Sequence, residues 1–108
     1  MSRGWIGFDL DGTLAEYHGW RKDGGIGRPV PLMVDLVSKL LSEGKDVRIF
    51  TARVSGKDKE RQGELIRRWC IKHLGRPLSV TCCKDFQMIM LYDDRCVQVV
   101  KNKGIIVE

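Results

Sequence analysis

The chain has 108 residues, 43% hydrophobic and 31% charged, with a formal net charge of +5 from 19 basic and 14 acidic residues. That length buries roughly two-thirds of the extended chain's surface, enough for one modest core, and the composition is that of a globular protein, not a disordered one. No apolar run approaches the ~20 residues of a membrane helix, and Asp9 and Asp11 interrupt any signal-like segment, so we expect one cytosolic domain over 1–108 with no membrane partner.

Trp5 to Leu10 is continuously apolar, the pattern of a strand buried on both faces. A Gly- and Pro-rich loop follows from Asp11 to about Pro31, with a flap over 15–29. Met33, Leu36, Val37, Leu40 and Leu41 then recur at helical spacing, with Pro31 and Gly44 suited to the two ends. Val47 to Thr51 reads as a short strand. Lys57 to Leu74 reads as a second helix, apolar along Leu65, Ile66, Trp69, Cys70 and Leu74 and closed by Gly75 and Pro77. Leu78 to Cys83 and Met88 to Tyr92 are strands, Cys96 to Lys103 a short helix or turn, and Gly104 to Val107 a final strand.

Strands alternating with helices predict an α/β fold: a mostly parallel sheet of about five strands with helices on both faces. In such sheets functional groups collect beyond the carboxyl ends of the strands. Asp9 and Asp11 follow the first strand, Thr51 ends the second, Lys84 follows the third, and Asp93 and Asp94 end the fourth.

Cys70, Cys82, Cys83 and Cys96 contain no Cys-x-x-Cys pair, which leaves buried free thiols as the expectation, with Cys82 and Cys83 on opposite faces of a strand. His18 and His73 are too scattered to make a metal site with them. The positive excess favours anionic partners. Seven Lys or Arg between Lys57 and Arg76 make either a solvated, charge-paired helix face or a polyanion footprint.

Four carboxylates at one sheet edge repel one another, by roughly 4 kcal/mol for a pair ~4 Å apart at an effective dielectric near 20. A hard divalent cation relieves this, and an all-oxygen ligand set selects magnesium over zinc. A carboxylate beside a metal-held phosphate can attack phosphorus. A second carboxylate two residues on can lend and retrieve a proton.

Ile6-Gly-Phe-Asp-Leu-Asp-Gly-Thr-Leu14 resembles the first motif of the haloacid dehalogenase superfamily. Ile49-Phe-Thr-Ala-Arg53 resembles its second motif, and Leu91-Tyr-Asp-Asp-Arg95 its acidic fourth. Lys84, in Cys83-Lys-Asp-Phe86, is the candidate for the third-motif lysine, with Lys72 and Lys57 as alternatives. The resemblance spans nearly the whole chain. It implies a Rossmann-like domain and a magnesium-dependent phosphatase with Asp9 as nucleophile and metal ligand. It implies Asp11 as general acid and base, also ligating the metal through its carbonyl, with Thr51 and Lys84 on the phosphoryl oxygens. Asp94 becomes the third protein ligand, with Asp93 acting through water or on Lys84, and the two can exchange roles.

The gaps after the first and third strands are too short for a cap domain, so we expect a capless enzyme with an open site, where Tyr17, His18 and Trp20 can stack on a base or simply pack the loop down. Thr51-Ala-Arg-Val-Ser-Gly56, the basic helix to Trp69, and Gly75-Arg-Pro-Leu78 resemble more weakly the 3′-phosphatase domain of phage-type polynucleotide kinases. The kinase domain and its P-loop are missing, and the stretch from Leu78 to Asp93 is shorter. The expected partner is a phosphorylated small molecule or a nucleic-acid end. Competing classes are a sugar-phosphate phosphatase, a non-catalytic nucleic-acid-binding module on the same fold, and a receiver domain. The last needs a phosphorylated Asp on a middle strand, and Ile49–Thr51 offers none.

Overall fold

The computed structural model describes residues 4–108. Its elements are β1 (Trp5–Asp9), α1 (Pro31–Ser42), β2 (Asp46–Phe50), a 3-10 turn (Ala52–Val54), α2 (Lys59–Leu74), β3 (Ser79–Thr81), β4 (Met88–Tyr92), β5 (Gln98–Val99) and β6 (Ile106–Val107). Pro31 opens α1, where its missing N–H costs nothing. Gly75, at φ +84°, closes α2 in the left-handed conformation that glycine adopts without strain.

β1 to β4 form one parallel sheet in the order β3-β2-β1-β4. Alternate residues of β1 and β2 divide between its faces. Ile6, Phe8, Val47 and Ile49 join Val37 of α1 and Ile66, Trp69 and Cys70 of α2 in the buried core. Phe8 stacks on Tyr92 of β4 with ring centroids 4.6 Å apart. Trp5 and Arg48 point to the other face, where the Arg48 guanidinium lies 4.9 Å from the Trp5 ring centroid.

Two expectations are corrected here. The parallel sheet has four strands, not five. The C-terminal strand pairs antiparallel with β5 in a separate two-stranded sheet, so 96–103 contributes a strand and a turn rather than a helix. Nor do helices cover both faces. β1, β2 and β3 succeed one another in a single direction across the sheet, and right-handed crossovers then place α1 and α2 side by side on the same face. The return from β3 to β4 spans three inter-strand steps, ~14 Å, which six residues cover only when extended. As a helix, those residues would be only ~9 Å long. The segment 82–87 therefore runs over the helix-free face, where the Trp5 indole donates to Asp85 Oδ1 at 2.8 Å and the Trp5 amide to the Gln87 carbonyl at 2.8 Å.

The cysteine expectation holds for Cys70 alone. It is buried, and burial pushes its thiol up to about 11. Cys82, Cys83 and Cys96 are exposed because β3 stops at Thr81, before the pair. Cys82 and Cys83 sit in the turn after it with their sulfurs 3.9 Å apart, not on opposite faces of a strand. Among the described residues no helix is long and apolar enough to cross a membrane.

Candidate functional site

β1 delivers Asp9 to the carboxyl edge of the sheet, and the chain then turns tightly. Leu10 accepts backbone bonds from Leu14 and Ala15, and the Gly12 amide donates to the Ala15 carbonyl at 2.8 Å. Gly12 stands at φ +94°, and a Cβ there would lie 2.7 Å from Asp94 Oδ2. Glycine is therefore required both by the turn and by the approach of a carboxylate.

Thr13 ties the two strand ends together. Its buried hydroxyl accepts from the Asp94 amide at 2.9 Å and lies 3.0 Å from Asp94 Oδ1 and 3.3 Å from Asp9 Oδ2, shared between the two carboxylates. Asp9, Asp93 and Asp94 each offer an oxygen, and these lie within 4.8 Å of one another. Burial first, then a hydrogen bond to Asp94 and the charges of Asp93 and Asp94, push Asp9 up to about 7, against a smaller opposing effect of Thr13. Burial also acts upward on Asp94, but hydrogen bonds to Asp9, Thr13 and its own amide, with the Arg95 charge, hold it below the usual range. Asp9 thus keeps a proton because three carboxylates converge without a countercharge. An all-oxygen cluster of this spacing fits a hard divalent cation.

Asp11 turns the other way, toward Arg53. Arg53 Nε donates to Asp11 Oδ2 at 2.7 Å and Nη2 to Oδ1 at 2.9 Å, a bidentate pair whose guanidinium side chain is 4% exposed. Nη1 donates to the Gly24 carbonyl at 2.6 Å and to Gln62 Oε1 at 2.9 Å, and Nη2 also to the Gly25 carbonyl at 3.2 Å. Arg53 therefore clamps the loop after β1 to the N-terminal part of α2. Thr51 is buried at the end of β2, and its Oγ1 accepts from the Arg53 amide at 3.1 Å, capping the 3-10 turn. That bond uses a lone pair and leaves the hydroxyl hydrogen to donate.

The loop 15–29 is zipped at its base by a bridge between Ala15 and Pro29 and by the Glu16 amide on the Arg28 carbonyl. Its far side is fastened to α2 by the Trp69 indole on the Gly27 carbonyl at 2.9 Å. Trp20 lies over Arg53, 4.7 Å from guanidinium carbon to ring centroid, and is 57% exposed.

A cavity of about 770 Å³ opens here, lined among others by Asp9, Asp11, Thr51, Asp93 and Asp94, with Tyr17 and Trp20 at its side. Five of the six residues singled out in the sequence thus share one cavity. Lys84 does not. It sits exposed in the segment crossing the helix-free face, away from the cavity lining, and Lys57 is the lysine that lines the cavity. The missing helix after β3 is the physical cause. Arg53 and Thr13 were the functional residues hardest to find, although both stand inside the motifs quoted above. The basic helix is partly charge-paired, with Arg61 on Asp58 and Arg68 on Glu64.

No family model matches the chain, and no curated protein does. A solved structure of a conserved protein from Bacteroides thetaiotaomicron is similar in fold, with a TM-score of 0.59 at 21% identity, over 88% of this chain and 78% of that one. The likeness extends to the fold alone.

Proposed function

We propose that the chain is a magnesium-dependent phosphomonoester hydrolase of the haloacid dehalogenase type, acting on a nucleotide or nucleic-acid terminal phosphate. The observation that carries this reading is the convergence of Asp9, Asp11, Thr51, Asp93 and Asp94 on one cavity at the carboxyl ends of three adjacent strands.

Asp9, Asp93 and Asp94 are the side chains that would hold the cation. Bound there, it supplies the positive charge that keeps Asp9 ionised at neutral pH. A carboxylate oxygen of Asp9 attacks phosphorus, and the bond from phosphorus to the leaving oxygen breaks as Asp11 gives that oxygen a proton. Water then attacks the aspartyl phosphate and yields its proton to Asp11. The bond from phosphorus to Asp9 breaks, releasing inorganic phosphate and restoring the carboxylate. Both oxygens of Asp11 face Arg53, so Asp11 reaches the leaving group by giving up at least one of those hydrogen bonds. Thr51 donates to a phosphoryl oxygen, and Lys57 takes the cationic place expected of Lys84.

Trp20 and Tyr17 favour a substrate with an aromatic base. Trp20 is fixed on Arg53 through one contact and still offers much of its ring to solvent beside the cavity. Base stacking on such a ring is worth about 1–3 kcal/mol.

The test is phosphate release from mononucleotides, 3′- and 5′-phosphorylated oligonucleotides and sugar phosphates, with magnesium and with excess chelator. The expected result is turnover of nucleotides or oligonucleotides that needs magnesium and vanishes in Asp9→Asn. Turnover of sugar phosphates alone rejects the substrate class. Retention of nucleic acid with no phosphate release rejects the enzyme in favour of a binding module.

A further inference from the structure

Thirteen large hydrophobic residues are exposed, and nine of them fall between Phe86 and Val107. They are concentrated on β4 and the β5–β6 hairpin. β4 is the edge strand beside β1. Ile89 and Met90, which point to opposite faces of the sheet, are 55% and 54% exposed. β4 is thus bare along one edge and open on both faces, because α1 and α2 lie over the other strands and 82–87 is a single extended segment. Its sequence, Met-Ile-Met-Leu-Tyr, has no charge and no proline, the usual devices that keep a free edge from pairing. The hairpin has the complementary problem. A two-stranded hairpin is marginal by itself in water, and here Val99 and Ile106, which are register partners, are flanked by further exposed aliphatic residues.

We propose that β4 and the β5–β6 hairpin are the contact surface of a homodimer, with β4 of one copy paired antiparallel to β4 of a second across a twofold axis near Met90. A twofold interface must be self-complementary. An edge strand paired antiparallel with its own copy meets that condition and satisfies the free backbone groups of both. The nine side chains offer on the order of 600–900 Å², above the 300–600 Å² patch of an ordinary monomer and close to the ~800 Å² per partner of a standard interface. The chemistry also selects a second copy over an anionic partner. The chain is basic overall, yet β4 carries no charge, and uncharged aliphatic centres are the mark of homodimer interfaces. The surface flanks the turn bearing Asp93 and Asp94, but nothing in the inference depends on the proposed activity.

The experiment is sedimentation or light scattering of the full chain over an about hundredfold concentration range, since dimer population follows protomer concentration. The expected mass is twice the 12.3 kDa of one chain. Met90→Lys and, in the hairpin, Val99→Lys should each weaken association by about tenfold or more. Both side chains are exposed in the single chain, so circular dichroism of the variants should match wild type. Leu32→Lys on α1, at a residue 79% exposed, should leave the dimer intact. A wild-type monomer throughout overturns the proposal. So does a dimer that survives both substitutions, one abolished by Leu32→Lys, or an open-ended series of larger species, which a non-closing contact would give.

Discussion

Arg53 holds the Asp11 carboxylate by two parallel hydrogen bonds of 2.7 and 2.9 Å across 42 residues of sequence, while its remaining N–H groups hold the carbonyls of Gly24 and Gly25 and the amide oxygen of Gln62. One nearly buried guanidinium thus fixes the proposed proton carrier, the loop above it and the start of α2. Removing one partner of a buried pair costs about 3–5 kcal/mol, because the other charge is left without compensation. Arg53→Ala should lower unfolding free energy by about 3 kcal/mol, read from denaturant midpoints. Arg53→Lys should recover little of it, since an ammonium cannot make the planar two-point contact. Wild-type stability in Arg53→Ala would show that the clamp carries no load.

Asp9 makes stability depend on pH and on magnesium. Its carboxyl titrates at 3.8 when unfolded and at about 7 in the folded chain. Between these values the folded state binds the extra proton, so in chelator this group makes stability fall as pH rises from about 4 to about 7, and the fall levels off above that. His73, lowered by burial and by Lys72, opposes the trend below its ordinary 6.5. The informative comparison is therefore with Asp9→Asn, which retains His73. The variant should lack the Asp9 component and be the more stable protein in chelator at pH 8. Magnesium at a hundred times its Kd should add about 2.7 kcal/mol to wild type. It should add less at pH 5.5, where protons compete for Asp9, and less in Asp93→Asn or Asp94→Asn. Equal stability of wild type and Asp9→Asn at pH 8 without magnesium would contradict the raised titration.

Gly12→Ala combines two penalties at one atom. The backbone is at φ +94°, and the new Cβ would meet the Asp94 carboxylate at 2.7 Å. A residue forced into such a conformation costs about 1–3 kcal/mol. The displaced Asp94 should weaken magnesium binding as well, measured by calorimetry. Gly56→Ala is the control, because a Cβ there meets nothing within 4 Å and φ is not positive.

Trp20→Leu separates base recognition from chemistry. Losing a stacking platform worth about 1–3 kcal/mol should raise KM for nucleotides about tenfold or more. Turnover of glycerol phosphate, which has no ring, should change little. An equal loss on both substrates would assign Trp20 to holding Arg53 instead.

The fold was legible where a short segment of sequence dictates a local conformation. The apolar run ending at Asp9, the Pro31 and Gly75 helix boundaries, and β4 stopping at Tyr92 before Asp93 and Asp94 all lie where the sequence places them. The resulting rule, that polar groups gather beyond the strand ends, brought five of the six candidate residues together. Arg53 and Thr13 stood in plain view, but their partners lie 42 and 81 residues away, and no local pattern specifies those pairings.

The sequence by itself determined which residues end the strands and therefore which carboxylates can converge, because strand period and turn chemistry act over a few residues. The tertiary structure alone decided how those groups are joined. It set Asp11 on Arg53 and shared the Thr13 hydroxyl between Asp9 and Asp94. It also decided what was lost. A six-residue return from β3 to β4 can cross the sheet only in extended form, which carries Lys84 away from the cavity and leaves one face of the sheet without a helix.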